Sequence, residues 1–196
     1  MKKYIILIGF PKAGTSSLHR ALKSANIPSF HQFYHKKSKI IGEILINNYK
    51  QNFPILHSFS ENIYALTEIN YTDFHRAYWP QLNYKLLEKI KEESNDYRFI
   101  LNYREPKKLV TSMKNWHNNF HKRLIDNDIP GLPPNRGRNN IELLHWVENH
   151  YTEIRKRFGK DKNFLEINIE SNNVKEKLSD FLDLKINWWG VENKTK

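Results

Sequence analysis

YIILIGFPKAGTSSLHRAL, Tyr4 to Leu22, carries an aliphatic run into a glycine, crosses a short loop and continues in helical spacing. Tyr4–Ile8 reads as a short strand of the kind buried on both faces of a parallel sheet. Thr15 to about Ala25 reads as a helix, with Leu18, Ala21 and Leu22 on one face. Strand, glycine turn and helix in this order form the layout of a phosphate-binding loop. Loops that hydrolyse nucleotides read G-x-x-x-x-G-K-[ST], with lysine after the second glycine. Gly9 and Gly14 keep that spacing and Thr15 and Ser16 follow, yet the loop's only lysine is Lys12, inside it.

A glycine turn between strand and helix aims backbone N–H groups at one point, with the helix dipole behind them, which suits an oxyanion. Thr15, Ser16 and Ser17 stand at the first helical turn, where hydroxyls bond a ligand or the helix's own unpaired N–H groups. Lys12 lies over the mouth of the loop, placed to neutralise charge on a bridging oxygen as a bond to it breaks. The missing lysine, and a strand YRFILNY (Tyr97–Tyr103) that runs into Arg104 rather than an acid, speak against a Mg–ATP site.

REPKKLVTS, following that strand, is a second candidate anion site. Arg104 presents a fixed fork of donors suited to a phosphate dianion, and Ser112 follows eight residues later on the next helix. Pro106 fits that helix's first turn, and the helix is expected to continue through KKLVTSMKNWHNNFHKRL. Elsewhere NIPSFHQFYH reads as a return strand, Ile40–Tyr49 as a helix and Asn62–Ile69 as strand-like. QLNYKLLEKIKEES reads as an amphipathic helix with Leu82, Leu86, Leu87 and Ile90 in phase. DIPGLPPNRGRNN is a loop; IELLHWVENHYTEIRKRF, NFLEINI and NNVKEKLSDFLDL read as helix, strand and helix. This alternation predicts an α/β, P-loop-like layered fold with a central, mainly parallel sheet flanked by helices.

At 196 residues, with 39% hydrophobic and 13% aromatic residues, the chain is expected to form one domain, 1–196, with a real core. It has no cysteine, which removes disulfides, thiolate nucleophiles and zinc–thiolate sites. Its apolar runs are too short for a secretory leader or a membrane span, so a soluble, cytoplasmic protein is expected. The net charge of +11 favours anionic ligands, but no arginine-rich arm, zinc finger or RNA-binding strand motif points to nucleic acid.

The paired motifs resemble those of sulfotransferases that use 3′-phosphoadenosine 5′-phosphosulfate (PAPS). PKAGTSSL is similar to their 5′-phosphosulfate loop and REPKKLVTS to their 3′-phosphate motif. FHQFYH and HWVENHYTEIRKRFGKDKNFLEINIE extend the resemblance, to small bacterial members, over nearly the whole chain. It implies that Pro11, Lys12, Ala13, Gly14, Thr15, Ser16 and Ser17 hold the 5′-phosphosulfate, with Lys12 stabilising the oxygen that sulfur leaves. Arg104 and Ser112 would grip the 3′-phosphate of PAPS and of its product, adenosine 3′,5′-bisphosphate (PAP). It also implies in-line transfer without a metal.

An acceptor hydroxyl needs a general base. His31, which titrates near neutrality when unperturbed, and Glu68 compete for that role, with His35 and His57 behind them. The family's late RKG…GDW motif has no intact counterpart; Arg136 and Arg138 in NRGRNN are the nearest basic glycine loop. Trp116, Trp146, Trp188 and Trp189 are candidates for stacking on adenine. The acceptor, whether glycan, lipid or small molecule, is not named by any motif. The competing readings are a small-molecule kinase using Mg–ATP and a nucleotide-binding module without turnover.

Overall fold

The structure is a computed structural model, and it describes residues 3–35, 39–59, 63–117 and 119–192. The opening strand β1 (Lys3–Leu7) lies inside a seven-stranded sheet. On one side it pairs in parallel with β5 (Ile63–Glu68), which pairs in parallel with β2 (Ser29–His31). On the other it pairs with β8 (Tyr97–Tyr103), which pairs with β9 (Phe164–Asn168), again in parallel. Two short antiparallel strands, β3 (Phe33–Tyr34) and β4 (Lys39–Ile40), extend the edge beyond β2. This is the layered, mainly parallel architecture that the alternation predicts.

Side chains on β1 alternate between two cores, as expected for a strand covered on both faces. Ile5 and Leu7 pack with α1 (Thr15–Ser24) and α7 (Val174–Leu182) through Leu18, Ala21, Leu22, Val174 and Leu178. Ile6 and Ile8 face the larger core, with α2 (Ile41–Lys50), α3 (Tyr84–Glu93), α4 (Pro106–Lys114), α5 (Phe120–Asp126) and α6 (Asn140–Phe158). Among the described residues no helix is long and apolar enough to cross a membrane.

Two local expectations change, and one hairpin is added. The helix expected from Pro106 onward is two helices, because α4 ends at its cap Asn115 and Asn119, which caps α5, adopts φ 54°. Asn is among the few residues that tolerate this left-handed geometry. After Pro80 a 3₁₀ turn (Pro80–Leu82) comes first, and Asn83 then caps α3 by accepting from Leu86 N. A hairpin of β6 (Tyr71–Thr72) and β7 (Ala77–Tyr78) follows β5; Asp73 Oδ1 accepts from the His75 and Arg76 amides at its tip.

Candidate active site

The carboxyl ends of the parallel strands open into one cleft of about 1220 Å³, lined by Pro11, Lys12, Gly14 to Ser17, His31, Glu68, Arg104 and Ser112. Of the residues predicted for the 5′-phosphosulfate loop, Ala13 alone turns away; it is buried in the larger core. The sheet order divides the cleft. β5 and β2 deliver Glu68 and His31 on one side of the loop, and β8 and β9 deliver Arg104 and the segment from Ile169 on the other.

The loop is stapled from β8. Asn102 Nδ2 donates to the carbonyls of Phe10 (3.0 Å) and Ala13 (2.8 Å). Asn102 Oδ1 lies so close to Gly9 that a Cβ there has no room. Gly14 takes φ 80° with Ile169 packed against it, so a side chain there would be strained by conformation and crowded by contact. No side chain caps α1 and its first turn holds no acid, which leaves that positive end facing the cleft.

Lys12 also takes a left-handed backbone, φ 67°, and its ammonium sits 2.8 Å from the centre of the Trp116 ring. Burial lowers its pKa to about 8; Glu68 opposes that shift and Arg104 adds to it. Arg104 Nη1 donates to the Lys12 carbonyl at 2.8 Å, and its buried Nε has no partner among the described residues. A guanidinium joined to the loop by one nitrogen, with another unsatisfied, retains donor capacity of the kind that suits an anion.

Opposite stands a hydrogen-bonded cluster. Glu68 is buried and accepts from Thr15 Oγ1 at 2.7 Å and from Gln32 Nε2 at 2.6 Å. His31 Nε2 lies 3.0 Å from the same carboxylate and 3.2 Å from Thr15 Oγ1. Burial alone would raise the Glu68 pKa; the bonds from His31, Thr15 and Gln32 outweigh it and hold the group below the ordinary carboxylate range. Beneath His31, His19 bonds Ser29 Oγ at 2.8 Å, and burial with the neighbouring His31 and Lys23 pushes its pKa down to about 4. Ser17 Oγ accepts from Glu192 N at 3.3 Å, tying the late segment to α1.

Other candidates separate. Trp116, Trp188 and Trp189 line the cleft, whereas Trp146 is core, with its indole N–H on the Pro130 carbonyl. His35, His57, Arg136 and Arg138 do not line it; Arg136 pairs with Glu142 at 2.9 Å and Arg138 bonds Asn135. The sequence reading missed Asn102, Gln32 and Arg123. It also missed that an acid does end a strand beside the loop strand: Glu68, on β5 rather than β8. Only the pairing order reveals that neighbourhood.

A family model described as a sulfotransferase domain matches residues 4–137. No curated protein matches the chain. Among solved structures, a shikimate kinase from Bacteroides thetaiotaomicron is similar at 16% identity and TM-score 0.54, covering 93% of this chain and 99% of that one. A deoxyadenosine kinase from M. mycoides with bound dATP has 13% identity, TM-score 0.49, and coverage of 92% and 97%. The shikimate kinase likeness is one of fold.

Proposed function

Since the chain belongs to the sulfotransferase-domain family, we propose that it moves a sulfuryl group from PAPS to a hydroxyl or amine of an acceptor. The observation that carries this reading is Arg104, bonded to the loop carbonyl of Lys12 and still holding an unsatisfied buried Nε. A nucleotide with phosphates on both the 5′ and 3′ carbons would use the loop and Arg104 together; ATP has no 3′-phosphate to offer. The uncapped start of α1, Lys12 and the hydroxyls of Thr15 to Ser17 hold the 5′ end in this reading, and Arg104 with Ser112 the 3′ end. Trp188 and Trp189 border the nucleoside half.

PAPS supplies an electrophilic sulfur: the acceptor oxygen bonds to it as the sulfur–oxygen bond to the 5′-phosphate breaks, and that bond's electron pair stays on the phosphate oxygen. Lys12 offsets the charge developing there. His31 takes the acceptor's proton. Its Nε2–H donates to Glu68, which leaves the lone pair on Nδ1, and none of its described bonds uses that atom. Glu68, engaged by Thr15, His31 and Gln32, orients the ring and stabilises the imidazolium.

A kinase reading retains one observation. Thr15 bonded to Glu68 is the hydroxyl-and-carboxylate pair that a Mg–ATP site employs. A metal-free thermal-shift titration with PAP, ADP and Mg–ATP separates the two. PAP at a hundred times its Kd should add about 2.7 kcal/mol, a rise of roughly 5–11 °C for a chain of this size. Arg104→Ala should remove that rise. Stabilisation by Mg–ATP alone would overturn the sulfotransferase reading. In a PAPS-dependent transfer assay His31→Ala should lower turnover by about 10²-fold or more while PAP affinity holds; unchanged turnover removes His31 as base.

A further inference from the structure

The half of the cleft beyond His31 contains a cation that the transfer step leaves unused. Arg123, on α5, lines the cleft with Asn70, Tyr71, Thr72 and Phe120. Among the described residues two arginines line the cleft, Arg104 and Arg123, and neither lies within 4.0 Å of a carboxylate. Two acids that could have neutralised it are engaged elsewhere: Asp126, on the same helix, pairs with Lys122 at 2.5 Å, and Asp73, next to Thr72, pairs with Arg76 at 3.0 Å. Nη1 of Arg123 donates to the Thr72 carbonyl, and the guanidinium sits 5.3 Å from the centre of the Phe120 ring. One carbonyl uses one hydrogen, so hydrogens remain on both terminal nitrogens, the arrangement that grips a planar carboxylate.

A second donor points to the same ligand. Asn70 is 3% exposed, lines the cleft and has its Oδ1 occupied by Gln81 Nε2. Its own Nδ2 has no partner among the described residues. The hairpin carrying Tyr71 and Thr72 is held to α5 by Asn127, which donates to the Asp73 carbonyl (2.9 Å) and the Arg123 carbonyl (2.8 Å). The cation is therefore held in place beside its apolar wall and does not wave from a loop.

We propose that the acceptor is a hydroxy acid, with its carboxylate on Arg123 and Asn70 and its hydroxyl presented to His31. This rests on the sulfotransferase reading of the site. Arg123 divides the work with Arg104, each taking the anion of one substrate. The step itself is unchanged: the acceptor's O–H proton goes to His31, its oxygen bonds sulfur, and the carboxylate takes no part in bond making.

The test uses matched pairs that differ only in charge: 4-hydroxybenzoate against 4-hydroxybenzyl alcohol, and glucuronate against glucose. Binding of each to the full chain is measured by calorimetry, with and without saturating PAP. The carboxylate of at least one pair should bind about tenfold or more tighter than its neutral partner, and which pair does so distinguishes an aryl from a sugar acid. Arg123→Gln, which still offers Thr72 a donor, should abolish the preference while PAP affinity stays constant; Arg123→Lys should retain part of it. Equal binding within both pairs, or a preference that survives Arg123→Gln, overturns the proposal. Loss of PAP binding in the unmodified protein would instead overturn the sulfotransferase reading, and the carboxylate preference is still measured without PAP.

Discussion

Lys12 combines three features that bear on one another: a left-handed backbone, a ring beneath its ammonium and a pKa of about 8. Burial and Arg104 both disfavour its charged form, so an arriving anion meets a cation that has lost part of its hydration. Below pH 8 Lys12 is protonated and attracts phosphate; above it the free protein loses that charge, and binding must first take up a proton. PAP affinity should therefore fall as pH rises through about 8, with proton uptake visible as a buffer-dependent heat in calorimetry. Lys12→Arg, always charged, should remove the fall. A pH-independent affinity in the unmodified protein would dissociate Lys12 from the bound anion.

Between elements, glycines mark where backbones come closest. Gly42, in the first turn of α2, lies under the strand exit that carries Glu68: a Cβ there would stand 2.5 Å from the Ile69 carbonyl and 2.9 Å from Tyr78 Cβ. Both contacts are to groups of limited freedom, so Gly42→Ala must displace either the helix or the exit. Overpacking of this kind costs about 1–3 kcal/mol, and denaturant unfolding should show it. Since Ile69 joins Glu68 to Asn70, the same change should weaken turnover more than PAP affinity. Equal loss of both would mean that the displacement reaches the loop. Periodicity had made α2 legible, but the need for glycine at its start comes from a strand some 27 residues away in sequence.

Across the whole molecule, buried histidines set the acid limit of the fold. His150 on α6 bonds the Ile8 carbonyl at 2.8 Å beneath Phe10, and burial pushes its pKa down to about 4. The unfolded chain takes up this proton near pH 6.5 and the folded one only near 4, so stability is full above pH 6.5 and is lost as pH falls between these values. The loss is on the order of 3 kcal/mol, or a Tm about 6–12 °C lower. His19 acts in the same direction. His150→Gln keeps a donor for Ile8 and should flatten the Tm profile from pH 7 to 4; an unaltered slope would assign the acid sensitivity to other groups. Glu68, held below its ordinary range, adds a separate loss at lower pH.

Much of this was written locally in the chain. Glycine spacing, aliphatic runs and helical phase are properties of neighbouring residues, so the loop, the strands of the parallel sheet and most helices could be read without coordinates. The position of Arg104 at a strand's end was local in the same sense, because the strand beside it announces itself. What needed the tertiary structure was every relation set by strand order. That β5 stands between β1 and β2 brings Glu68 to Thr15 and His31, residues 53 and 37 positions away, by pairing that no local pattern encodes. The break between α4 and α5, in a stretch of unbroken apparent helical phase, likewise places Trp116 under Lys12 and Arg123 beside Thr72. Side chains remote in sequence acquire shared chemistry only when the sheet fixes their separation.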